Sequence, residues 1–127
     1  MNDSDMQALV SRYVAAYNAF DVDGMLALLS PDVRFENYSG GALTAATTGI
    51  AEFRRLAEQS RGMFSEREQR ITHVQFDANS AVADIDYRGR LAVDIPDGPV
   101  AGTVIALQGQ SEFHFVGGRI GKLVDRS

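Results

Sequence analysis

The chain has 127 residues, 45% of them hydrophobic and 23% charged, the size and composition of one globular domain able to bury its own core. It contains no cysteine, which excludes a disulfide framework, a thiol nucleophile and a thiolate metal site. A formal net charge of −5 with scattered arginines argues against a nucleic-acid surface, which needs clustered cations to displace phosphate counterions.

In chain order, the opening Met1-Asn2-Asp3-Ser4-Asp5 is acidic where a secretory signal would be basic and apolar. No apolar run approaches the roughly 18 residues of a membrane span, so a cytoplasmic protein without membrane attachment is expected. Ser4 with Gln7 reads as a capping box that starts a helix. Met6, Leu9, Val10, Tyr13, Val14, Tyr17 and Phe20 then recur on one helical face. Asp21-Val22-Asp23-Gly24 interrupts that pattern and caps a short second helix carrying Met25, Leu28 and Leu29, which Ser30-Pro31 ends. A strand from Val33 to Tyr38 puts Val33, Phe35 and Asn37 on one face. Residues 39–48, small and polar with two glycines, read as a loop. A third helix from about Gly49 turns Ile50, Phe53, Leu56 and Ala57 inward and frays near Gly62.

The second half reads as a meander of three long strands and a shorter last one: Arg67 to Phe76, Ala81 to Val93, Thr103 to Val116 and Arg119 to Asp125. Asp77-Ala78-Asn79-Ser80, the Asp94–Pro99 segment and Gly117-Gly118 supply the turns. Helices first and an antiparallel meander after them make an α+β domain spanning 1–127. The expected architecture is three N-terminal helices packed on a strongly curved mixed or antiparallel sheet. Such a sheet closes toward a cone-shaped barrel with an internal small-molecule pocket.

The order of elements and several strings resemble the nuclear transport factor 2-like superfamily, and within it the SnoaL-like and ketosteroid isomerase-like proteins. The strings are Arg12-Tyr13-Val14-Ala15-Ala16 with Asn18-Ala19, Asp21-Val22-Asp23-Gly24 with Ala27-Leu28-Leu29, and Asp32-Val33-Arg34-Phe35-Glu36-Asn37. They continue with Gly49-Ile50, Tyr87-Arg88-Gly89-Arg90 and the run from Phe113 to Ile120. For activity, the resemblance implies three patterns. Ketosteroid isomerases use a helix-1 tyrosine, a carboxylate base ending the first strand and a second, acidic donor. Here Tyr13 matches the tyrosine, Asn37 stands at the base position and Ser111 at the second donor, and an amide cannot take the proton. Limonene epoxide hydrolase-like members imply Asn37 and Asp125 as water-positioning groups, with Phe35 in the tyrosine's place and Ile85 or Tyr87 where a proton-donating aspartate is needed. SnoaL-like cyclases imply one acid–base aspartate in the pocket, for which Asp125 is the candidate.

The residues themselves leave two readings each. Asn37 points inward with Val33 and Phe35, either toward a ligand or to loop backbone. Asp125 shares a face with Gly121 and Leu123; inward and dry it is a general base, outward a solvated carboxylate. Tyr13 and Tyr17 meet the sheet as pocket donors or as core, and Tyr87, beside Ala83 and Ile85, offers a third hydroxyl. Phe35, Phe53, Ile85, Phe113 and Phe115 are expected to line the cavity. His73 and His114 have no partner at metal-ligand spacing, and Asp21-Val22-Asp23-Gly24 lacks the remaining positions of a calcium loop, so no metal site and no cofactor are expected.

The leading expectation is therefore a cofactor-free acid–base enzyme acting on a small, apolar, oxygenated ligand. Asp125, Asn37 and Tyr13 are its catalytic candidates, and Tyr17, Phe35, Phe53, Ile85, Tyr87, Ser111 and Phe113 its binding residues. The alternative is a non-catalytic ligand-binding or dimerisation module of the same fold. The resemblance also implies a homodimer paired through the outer face of the sheet, around Arg88, Gln110, Glu112 and His114.

Overall fold

A computed structural model describes residues 1–127. The elements are α1 (Asp3–Asn18), α2 (Val22–Leu26), β1 (Leu29–Ser39), β2 (Ala42–Thr48), α3 (Ile50–Arg61), β3 (Phe64–Phe76), β4 (Ser80–Leu91), β5 (Val104–Val116) and β6 (Arg119–Arg126). The strands form one sheet in the order β2-β1-β6-β5-β4-β3. Only β1 and β6 run parallel; every other neighbouring pair is antiparallel. The three helices pack on this mixed sheet in an α+β cone. The cone is open, because β2 and β3 remain edges and do not pair with each other. No helix is long and apolar enough to cross a membrane.

The first helix starts earlier than its supposed capping box. Asn2 is the N-cap, its side chain accepting from the Asp5 N–H at 2.7 Å, while Gln7 donates forward to Ser11. The expected apolar face holds through Val14, with Met6, Leu9, Val10, Tyr13 and Val14 buried, while Tyr17 is half-buried and Phe20 lies beyond the end of the helix. The helix ends in a Schellman arrangement: Asp21 N–H to the Ala16 carbonyl and Phe20 N–H to the Tyr17 carbonyl. The left-handed position of that motif usually belongs to glycine, but here it is Phe20, at φ 57. A bulky residue held there costs on the order of 1 kcal/mol, and its ring packs against the guanidinium of Arg67. Asp21 caps α2 as expected, accepting from the Gly24 N–H at 2.9 Å.

Two expectations are corrected. Leu28 and Leu29 do not belong to α2. The strand β1 already begins at Leu29, opposite Ile120 of β6. Its pairing is irregular from Leu29 to Arg34, which is where Pro31, lacking an N–H, is tolerated. The supposed loop over 39–48 contains strand β2. Gly40 and Gly41, at φ 58 and 82, form a tight turn that folds β2 back on β1. Gly117 and Gly118 do the same between β5 and β6.

Asn18, at the end of α1, holds the free edge of β3. Its amide donates to the Gln69 carbonyl at 2.9 Å and accepts from the Gln69 N–H at 2.7 Å. This clamp covers edge groups that would otherwise be open to another strand, and it fixes the C-terminal turn of α1 over the sheet.

Candidate active site

Between helices and sheet lies a cavity of about 600 Å³, within the range of small-molecule sites. Fourteen of its 25 lining residues are hydrophobic, so a ligand there is held mainly by apolar contact. Tyr13 and Tyr17 reach it from α1, Phe53 from α3, and Phe35 and Asn37 from β1. Ile85, Tyr87, Ser111 and Asp125, also expected there, line it as well.

Phe113 does not line the cavity, and neither does Phe115. Phe113 is 0% exposed, with its ring edge-on to Tyr13 at 5.8 Å and stacked on Phe115 at 6.4 Å. At that level α1 closes on the sheet, so the alternation of β5 delivers Phe113 to the core and Ser111, Gly109 and Leu107 to the cavity. Leu107 and Ile105 were missed as wall residues, although the same alternation, followed back from Ser111, reaches both. Met63 and Phe64, which also line the cavity, follow α3 at the start of β3 and carry no separate signal.

The polar centre is a row across three strands. Asp125 on β6 stands in register with Asn37 on β1 and Ser111 on β5. The Ser111 hydroxyl donates to Asp125 Oδ1 at 2.7 Å. Asp125 is half-buried and lines the cavity. Burial pushes its carboxyl up to about 6, partly offset by the Ser111 hydrogen bond, which favours the charged form. A carboxylate tuned toward neutrality is suited to moving protons near pH 7.

Asn37 is adjacent to Asp125 but not bonded to it. Its amide nitrogen donates to Thr44 Oγ1 at 2.8 Å and lies 3.5 Å from Ser39 Oγ, so it is turned toward the β2 hairpin. Tyr13 lies across from the row. Burial raises its phenol well above the ordinary value, and the nearby Asp125 charge adds to this, so its hydroxyl stays protonated and able to donate. Tyr17 and Tyr87 form a second polar group, their hydroxyls 3.2 Å apart.

Gly109 ties the β5 backbone to the end of β6. A Cβ there would collide with the Arg126 carbonyl oxygen, one residue beyond Asp125. Gly109→Ala is therefore expected to cost about 1–3 kcal/mol and to move the Asp125 carboxylate. Chemical denaturation reads the first effect. Loss of pH-dependent chemical shift at Asp125 and Ser111, relative to the native chain, reads the second.

The comparisons with known proteins agree with this architecture. A candidate polyketide cyclase from Xanthomonas campestris pv. campestris superposes with a TM-score of 0.85 at 24% identity, covering 100% of this chain and 93% of its own. A candidate polyketide cyclase from Pseudomonas putida matches at 27% identity and TM-score 0.72, over 92% of this chain and 86% of that one. A protein of ketosteroid isomerase-like fold from Catenulispora acidiphila matches at 17% identity and TM-score 0.76, over 92% and 82%. The family model for the SnoaL-like domain matches residues 10–122, and the chain belongs to that family.

Proposed function

We propose that the protein is a cofactor-independent acid–base enzyme acting on a small, largely apolar carbonyl compound. Asp125 is the proton-transfer group and Tyr13 the hydrogen-bond donor to the reacting oxygen. The observation that carries this reading is the Asp125 carboxylate, bound by Ser111 and facing an open apolar cavity. In the reaction envisaged, Asp125 takes a proton from the carbon beside a carbonyl. The C–H electron pair moves into the new C=C bond, and the oxygen that gains charge is stabilised by the Tyr13 hydroxyl. The enolate carbon then adds to a second carbonyl of the same molecule, whose oxygen receives the C=O electron pair and takes the proton back from the Asp125 acid. In a substrate with a β,γ C=C bond the Asp125 acid instead returns the proton to the γ carbon of the dienolate. The candidate polyketide cyclases among the similar structures favour the first outcome.

Asn37 belongs to this proposal only through its amide oxygen, because its nitrogen is engaged by Thr44. The test is a turnover screen on enones, epoxides and polyketide-like ketones, repeated with Asp125→Asn. Activity that survives this substitution removes Asp125 from the mechanism. A ligand that raises Tm without being converted, equally in the native chain and in Asp125→Asn, favours the binding-module alternative instead. Pairing of two copies through the outer face of the sheet is part of the same proposal, and a monomer mass by light scattering at micromolar concentration eliminates it.

A further inference from the structure

Arg67, on β3, is a buried cation with no acid beside it. It is 7% exposed and takes part in none of the ion pairs of the chain. A guanidinium cannot shed its proton, so its charge must be met by other means. Its carbon lies 3.8 Å from the Tyr17 ring centroid and 4.5 Å from that of Phe20, and its Nε donates to the Tyr17 carbonyl at 3.1 Å. Two aromatic faces and the carbonyl end of a helix that has no basic residue in its own last turn thus take the place of a carboxylate.

This cation gives the tyrosine pair a direction. A positive charge over the Tyr17 ring makes that phenol the better donor, so Tyr17 gives its hydrogen to the Tyr87 oxygen across 3.2 Å. The Tyr87 hydrogen must then go elsewhere. Its neighbours include the edge of Phe64, with ring centroids 6.1 Å apart, the bare Gly89, where an added Cβ would stand 3.1 Å from the hydroxyl, and Gln69, its cross-strand partner, which lines the cavity beside it. The one hydrogen bond of the Tyr87 hydroxyl is the one it accepts from Tyr17, so its own hydrogen is free for an acceptor in the cavity that Tyr87 lines. Burial raises both phenols, so both keep their protons at neutral pH.

The register sets where this donor lies. Asp125 pairs with Ser111, Ser111 with Ala83, and Tyr87 is four residues further along β4, roughly 13 Å of strand. We propose that Tyr87, polarised through Tyr17 by Arg67, is a second oxygen-recognition subsite of the cavity. It selects elongated ligands with a carbonyl or ether oxygen at the end remote from the group that meets Asp125. The inference rests on the cavity being a ligand site, as in the function proposed above, and does not require that site to be catalytic.

Fluorescence titration with two naphthalenes tests it. In 6-acetyl-2-naphthol a hydroxyl and an acyl oxygen sit at opposite ends, and 2-naphthol lacks the acyl oxygen. The native chain is expected to prefer the acylated probe. Tyr87→Phe is expected to weaken that probe by about five- to tenfold, the loss of one hydrogen bond, and to leave 2-naphthol unchanged. Tyr17→Phe, which removes the donor behind Tyr87, is expected to weaken it by about two- to threefold. A native chain without that preference, including one that binds neither probe, overturns the proposal, as does a Tyr87→Phe variant that weakens both probes alike or neither. Because the readout is binding, an inactive protein can pass this test, and one whose turnover depends on Asp125 can fail it.

Discussion

Asp125→Asn is expected to remove about 10²- to 10⁴-fold of any turnover and, at pH 7, to make the fold more stable. Both effects have one cause. The carboxyl moves from an ordinary value of 3.8 to about 6 because folding takes it out of water. With the folded value above the unfolded one, the native state holds the proton more tightly. Stability from this group is therefore greatest below the unfolded value and is lost as pH rises through about 6. A shift of about two units corresponds to roughly 3 kcal/mol, and contact with the cavity reduces it, so about 1–3 kcal/mol is expected. Asparagine keeps the shape, accepts the Ser111 hydrogen bond and cannot ionise. Urea denaturation of both proteins from pH 4 to 8 should give a stability difference that opens between pH 4 and 6.5 in favour of Asp125→Asn and is flat above. A difference that does not change with pH would mean that the carboxylate is solvated in the folded state. For any turnover by the native chain that uses Asp125 as base, kcat/KM should rise through the same interval, as the carboxyl loses its proton.

The residues that made this site legible in the sequence are those governed by the strand pleat. Alternation alone sends Phe35 and Asn37 inward together, and likewise Ile85 and Tyr87, and all four border the cavity. The helical period did the same for Tyr13 and Tyr17. Depth along the cone was not legible. Phe113 and Ser111 share a face of β5, and which of them meets the cavity depends on where α1 lands, a long-range fact without local signature. The edge strand β2 was missed because Ala-Leu-Thr-Ala-Ala-Thr-Thr has little apolar contrast, most of it being exposed. Its Gly40-Gly41 turn was the available clue. In the sequence Arg67 marks only the start of a strand. One of the rings that cover it belongs to Phe20, which adopts a backbone conformation that its side chain disfavours and no propensity scale anticipates.

Phe113→Ala is expected to cost about 3–5 kcal/mol, more than other single truncations near the site. The ring is 0% exposed, edge-on to Tyr13, stacked on Phe115, and in register with Leu123 and Ala81. Removing it leaves a closed void among side chains already fixed from several sides, with little room to collapse. Phe35→Ala is the informative comparison. Phe35 is also buried and edge-on to another ring, Phe53, at 5.6 Å, but it stands on the cavity wall, where truncation extends a space that already exists. Phe113→Ala should therefore be the costlier by at least about 1 kcal/mol, and Phe113→Leu should recover most of the difference. The functional consequences should separate in the opposite sense. Phe35→Ala reshapes the wall and should act on KM. Phe113→Ala withdraws the support behind Tyr13 and, in protein that remains folded, should lower kcat through a loosened oxygen donor. Equal stability costs for the two truncations would place Phe113 on the cavity wall after all, as its strand alternation alone implies.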